Sequence, residues 1–291
     1  MRLGYFGGNV GGMASPQAVD VARFAESLGY ASIWAGEHVV LPKPRREKPP
    51  LDPDWPMADP MIQLAYLAAG TQHIRLSTGV VVATQHQPVR LAKQAATLDV
   101  LSGGRFMMGL GLGYLDLEFE VLGLPATQKR ARFRECVGAM RALWTEDSPV
   151  FDGEFVSFSG VDAHPKPSTP GGPPLIMGGY ADAGLDDAAK YGSGWYGFGL
   201  TPDDTREVVD RITTRLEAED RDPRMFEIFM TPRARLDGAL IKEYEQAGVT
   251  ELVVSAEALD IDGIKRRLEL NSPEAHGVEP AGVGTRYAWE V

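Results

Sequence analysis

The stretch Ile74 to Tyr114, IRLSTGVVVATQHQPVRLAKQAATLDVLSGGRFMMGLGLGY, reads as strand, loop, helix, turn and strand. Its first strand is the β-branched run Leu76 to Val82, with Gly79 in the middle. A glycine inside such a run marks a bulge or a close backbone approach. The second strand, Arg105 to Leu110, runs directly into Gly111 and Gly113. Two parallel strands joined by a helix, with bulk removed from the same end, are where an α/β protein receives a flat cofactor.

Working outward, strand-like runs recur at Leu3–Phe6, Ser32–Ala35, Leu76–Val82, Arg105–Leu110, Pro174–Met177, Gly194–Phe198, Phe226–Met230 and Leu252–Val254. Helical patterns lie between them. One should start with Ser15 as N-cap and Pro16 as first residue, bury Ala18, Val21, Ala22, Ala25 and Leu28, and stop at Gly29. Another repeats the device with Thr201, Pro202, Asp203 and Asp204, and its inner stripe is Val208, Val209, Ile212 and Leu216. Two more end at Gly248 and Leu270. Eight strands alternating with helices predict a single (β/α)₈ TIM barrel; a doubly wound sheet is the alternative. Two insertions interrupt the alternation. Gly36 to Ala58, rich in proline, follows the second strand and reads as a lid or binding loop. Pro149 to Pro174 follows the helix after the fourth strand and contains a hairpin turning at Asp152-Gly153. Residues 271–291 read as an arm against the barrel or a partner subunit.

The chain has 291 residues, 44% of them hydrophobic, and a formal charge of −11. Such a surface repels nucleic acid and anionic membranes, so neither is an expected partner. A single cysteine, Cys136, allows no internal disulfide. No apolar leader or bilayer-length run is seen, and a cytoplasmic setting is expected. Gly109-Leu110-Gly111-Leu112-Gly113-Tyr114 fails the dinucleotide pattern GxGxxG at Tyr114. There is no P-loop and no nucleophile elbow, and the five histidines show no metal-ligand spacing. Met107 and Met108 read as core, and the basic run 43–48 as a solvated loop able to hold an anion.

In a barrel, chemistry sits at the C-terminal ends of the strands. Those positions carry Glu37 and His38; Thr84, Gln85 and His86; Gly111, Gly113 and Tyr114; and Gly178, Gly179 and Tyr180. His38 is the leading candidate, because a histidine exchanges protons near neutral pH. Glu37 could hydrogen-bond a cofactor ring or close a salt bridge at the rim. The backbone of Gly178-Gly179-Tyr180, just before a helix, could meet phosphate.

These residues resemble those of the luciferase-like monooxygenase superfamily, and most closely its branch that uses the deazaflavin coenzyme F420. The resemblance is carried by AESLGYASIWAGEHVVLP from Ala25, by Asp59 to Tyr114, by HPKPSTPGGPPLIMGGY from His164, and by GSGWYGFG from Gly192. It implies an oxidoreductase moving a hydride between F420 and a small organic substrate. An FMN-dependent monooxygenase using oxygen, or a barrel that binds flavin without turnover, are the alternatives. It also implies a homodimer and a cis peptide at Gly79–Val80 behind the ring. The implied cofactor contacts are Thr78, Gly79, Val80, Gly111, Gly113, Met177, Gly178, Gly179 and Tyr180. His38 would give or take the proton, Glu37 would support it or the ring, and Tyr114 would contact substrate. Related sugar-phosphate dehydrogenases carry a carboxylate just after the fourth strand. Tyr114 stands there in this chain, which argues against that substrate. Trp195 would be core or contact.

Overall fold

The computed structural model describes residues 1–45 and 51–290. Its strands are β1 (Arg2–Phe6), β2 (Ser32–Ala35), β3 (Arg75–Thr78), β4 (Val81–Val82), β5 (Phe106–Gly111), β6 (Phe151–Asp152), β7 (Ser157–Phe158), β8 (Leu175–Gly178), β9 (Gly194–Phe198), β10 (Glu227–Thr231) and β11 (Glu251–Ser255). The α-helices are α1 (Ala18–Ser27), α2 (Pro60–Gly70), α3 (Pro88–Ser102), α4 (Asp116–Val121), α5 (Lys129–Thr145), α6 (Asp182–Tyr191), α7 (Pro202–Ala218), α8 (Gly238–Gln246) and α9 (Ile261–Leu270). The order β3-β2-β1-β11-β10-β9-β8-β5 is parallel throughout, and the β3–β5 pairing closes it into a ring. This is the (β/α)₈ barrel, so the doubly wound alternative falls.

β4 continues β3 after an interruption. Ser77 pairs with Met107 and Val81 with Leu110, so four steps along one strand oppose three along the other. The extra residue is a bulge at Gly79–Val80, and that peptide is cis. Across the gap the Thr78 hydroxyl donates to the Gly109 carbonyl at 2.7 Å, and Gly79 N–H reaches Ala35 O at 2.7 Å.

Strand alternation sorts the side chains. Trp34, Met107, Ile176, Tyr196, Phe229 and Val253 fill the barrel interior, with Phe6 and Val80 above them. The opposite faces pack against the helices in a separate, larger core that includes Met108 and Met177. Helix starts follow local chemistry. Asp59 caps α2 and Gln87 caps α3, each followed by proline, and Thr201 with Asp204 makes a full capping box on α7. The first helix starts later than expected. Ser15 turns its hydroxyl back to Gly12 O at 2.6 Å and caps nothing, so α1 opens at Ala18. Its expected stop holds: Gly29 follows with φ +82°.

The hairpin of the second insertion is also wider than expected. β6 and β7 pair Asp152 with Ser157, leaving a four-residue turn, Gly153–Val156, in place of a tight Asp-Gly turn. The Glu135 carboxylate of α5 accepts from the backbone N–H groups of Glu154, Phe155 and Val156, which fixes that wider loop. Residues 271–290 pack on the N-terminal end of the barrel, the first of the two placements expected for the arm. Tyr287 is buried there, with its hydroxyl on Glu251 at 2.7 Å and the Arg2 and Arg75 guanidinium groups 4.2 and 4.8 Å from its ring centre. Among the described residues no helix is long and apolar enough to cross a membrane.

Candidate active site

The C-terminal ends of the strands form an open mouth. Phe198 and Ser255 at strand ends are exposed, and Phe6 and Val80 are half-buried. The long loop 36–58 leaves β2 beside it. Asn9, buried after β1, pins both of its ends: its amide donates to Gly36 O at 2.8 Å and Ala58 O at 2.6 Å, and it accepts from Gly36 N at 3.2 Å. Of the loop's basic run, Lys43 and Arg45 pair with the loop's own Asp54 and Asp52. This weakens its reading as an anion site; residues 46–48 of the run lie outside the described residues.

Glu37 and His38, adjacent in sequence, engage different partners. His38 Nδ1 lies 3.2 Å from Glu118 Oε1, and the same oxygen accepts from Val39 N at 2.9 Å. A carboxylate beside Nδ1 requires a proton on that nitrogen, which leaves Nε2 as the acceptor. Tyr114 OH stands 3.3 Å from Nε2, its ring edge-on to the imidazole. Glu118 is 1% exposed and Tyr114 59%, so the line Glu118–His38–Tyr114 runs from the interior to the open surface. Partial desolvation by the neighbouring atoms, with Glu118 adding to it, pushes the phenol of the largely exposed Tyr114 ring up to about 12, so it stays a neutral donor.

Glu37 is turned toward the bulge. Its Oε2 accepts from Val82 N at 2.6 Å and its Oε1 meets His86 Nε2 at 2.8 Å. Burial opposes charge on His86, but the hydrogen bond and field of Glu37 outweigh it and raise the imidazole pKa. Both Glu37 oxygens are thus engaged by the chain itself.

The glycines around the mouth divide into two groups. A Cβ on Gly109 would run into the Thr78 carbonyl; on Gly111 it would stand 2.7 Å from Val80 Cγ2, and on Gly113 2.5 Å from Val82 Cγ1. These three make room for the bulged strand. A Cβ on Gly79 would press on Trp34 and Phe6 at 3.1 and 3.2 Å. Gly179 differs: nothing lies within 4 Å of its Cβ position, and its φ of +112° suits glycine. Trp195, fully buried, donates to Gly179 O at 2.8 Å, so it is core that also holds the loop. Tyr180 OH donates to Phe198 O at 2.8 Å and stands 2.7 Å from Phe198 N, bridging the ends of β8 and β9. α6 begins immediately after, with no side chain capping its first N–H groups. Met177 packs into the outer core.

Beneath the mouth lies an aromatic floor. Trp34 and Tyr196 stack at 4.9 Å, Phe6 lies parallel to Tyr196 at 6.5 Å, and Phe198 meets Phe6 edge-on at 6.0 Å. A planar tricyclic ring fits such a floor, and the open Gly179 with the uncapped start of α6 fits an anionic tail.

The sequence profile described as luciferase-like monooxygenase matches residues 1–235. The chain belongs to the luciferase-like monooxygenase family. It is 37% identical over 182 residues to an uncharacterized protein of Mycobacterium tuberculosis, a match covering 60% of this chain and 64% of that protein. It is 32% identical over 162 residues to the oxygenase component of the flavin-dependent trigonelline monooxygenase of Acinetobacter baylyi, covering 55% and 41%. A solved F420-dependent secondary alcohol dehydrogenase, in complex with an F420–acetone adduct, shares the fold with a TM-score of 0.77 at 18% identity, covering 92% of this chain and 97% of that one.

As a luciferase-like barrel, the chain does bring a carboxylate to the rim after the fourth barrel strand, four residues beyond Tyr114. Sequence reasoning missed Glu118. The signal was its place in the stripe Leu115, Glu118, Phe119, where an acid occupies a core-facing position. Asn9 was missed as well; a lone amide in a glycine-rich turn carries no periodic signal.

Proposed function

We propose that this chain is an oxidoreductase that moves a hydride between the deazaflavin coenzyme F420, lying across the barrel mouth, and a small organic substrate held above it. When bound, that cofactor supplies the two-electron step. The chain supplies the rest. The aromatic floor supports the ring from below, and Gly179, Tyr180 and the start of α6 offer backbone N–H groups to its phosphate. His38 Nε2 accepts the hydroxyl proton of an alcohol as its carbon gives up hydride, or returns a proton to a carbonyl in the reverse direction. Glu118 holds the imidazole in the tautomer that leaves Nε2 free. Tyr114 delivers or relays that proton toward solvent.

The observation that carries this reading is the buried Glu118 carboxylate on His38 Nδ1, beside an aromatic floor. Simple secondary alcohols are the first substrates to try, since the solved dehydrogenase of this fold carries an F420–acetone adduct. Fluorescence titration should give saturable F420 binding. In His38→Ala, binding should persist while alcohol-dependent F420 reduction falls by about 10²–10⁴-fold. Glu118→Gln should lose less and shift the pH profile. Normal turnover in His38→Ala would overturn the assignment.

A second reading, an FMN-dependent monooxygenase using oxygen, is favoured by the likeness to the trigonelline monooxygenase component. Oxygen uptake with reduced FMN and no response to F420 would select it. Binding of neither cofactor would leave a barrel without redox function.

A further inference from the structure

The carboxylates buried in this fold are partnered. Among the described residues Glu37, Asp99, Glu118, Asp187, Glu227 and Glu251 each accept hydrogen bonds from backbone or side-chain donors. Glu257 contrasts with them. It lies two residues beyond the end of β11 and is only partly exposed. No described residue gives it a hydrogen bond or an ion pair. β11 turns Val253 into the barrel and opens Ser255 at the mouth, and Glu257 follows just past that end. Its Cγ comes within 2.5 Å of where a Cβ on Gly7 would stand, so the side chain crosses the exit of β1.

That position matters because β1 is flanked by β11 on one side and β2 on the other. Phe6, the last residue of β1, belongs to the aromatic floor. A molecule lying over Phe6 therefore has His38 toward β2 and Glu257 toward β11. The groups whose charge or potential charge acts on Glu257 are Tyr5 of β1, Tyr196 of β9 and Arg267 of α9. Arg233, by contrast, lies against Gly199 past the end of β9. A part-buried carboxylate with no donor is a standing cost to the fold. Such a cost is repaid where a ligand brings the donor. The acidic chain as a whole also attracts cations.

We propose that Glu257 is a substrate-anchoring residue that receives a protonated amine, making small organic cations the substrate class of this mouth. The inference rests on the reading of the mouth as a redox site, and its test separates the two. Benzylamine, benzyl alcohol and benzoate present one ring with three different ends. Their binding to the full chain can be followed by saturation-transfer NMR at pH 7.5. Benzylamine should bind about tenfold or more tightly than benzoate, with the alcohol between. Glu257→Gln should abolish that preference while leaving F420 or FMN titrations unchanged and thermal unfolding at or above the parent temperature. Equal binding of amine and carboxylate, an undiminished preference in Glu257→Gln, or a loss of several degrees in that variant would overturn the proposal. A benzylamine preference in a chain that binds neither cofactor would leave the cation site standing and remove the redox reading.

Discussion

Two neighbours at the exit of β2 show how one step in sequence separates two tasks. Glu37 ties the bulge to His86, and His38 joins Glu118 and Tyr114. The first pair has a consequence for pH. His86 takes up its proton more readily in the fold than in the unfolded chain, because Glu37 outweighs the burial that opposes the charge. A raised histidine pKa adds stability that is fully present below the unfolded value of about 6.5 and disappears as pH rises through the folded value. Urea unfolding at pH 5.5 and 8.5 should therefore show the parent losing more stability between the two than His86→Gln. Equal losses would mean that Glu37 does not hold His86 in its charged form. His38 was legible from its place after a strand. Its dependence on Glu118 was not, since eighty positions separate the two and only barrel closure joins them.

At the level of elements, strand positions followed from short apolar runs and helix positions from apolar stripes, and all eight barrel strands lie where those patterns put them. Two details escaped because single side-chain contacts decide them, one local and one distant in sequence. Ser15 bonds backward to Gly12, which delays α1. Glu135 draws three N–H groups onto itself, which widens the hairpin turn. The glycines read as missing bulk, and at Gly111 and Gly113 that lack of bulk has a use within the chain itself that the sequence alone did not reveal. The space they leave is filled by Val80 and Val82 of the bulged strand. Gly111→Ala should accordingly disturb the bulge before it touches any ligand. A cost of about 1–3 kcal/mol is expected, read as a lower denaturation midpoint in cofactor-free protein. An alanine variant as stable as the parent would mean the two strands can part at no cost.

Across the whole molecule the barrel has two unlike poles. One is open and aromatic. The other is closed by the C-terminal arm, where Arg2, Glu227, Glu251, Arg75 and Glu290 surround Tyr287. Gly4 leaves space in this arrangement, since a Cβ there would strike Ser32 and Glu251. Tyr287→Ala removes a buried ring and leaves Glu251 short of a donor. A loss of about 3–5 kcal/mol is expected, measured by chemical unfolding, with cofactor titration of the folded fraction unchanged. A shift in ligand affinity without loss of stability would show that the two poles communicate.

Because Ala288 docks on Glu227 at the start of β10, the arm lies on the side of the barrel opposite His38. A sensor surface coupled through a cysteine placed at the exposed Val283 of the arm would hold the aromatic pole outward, facing the flowing analyte.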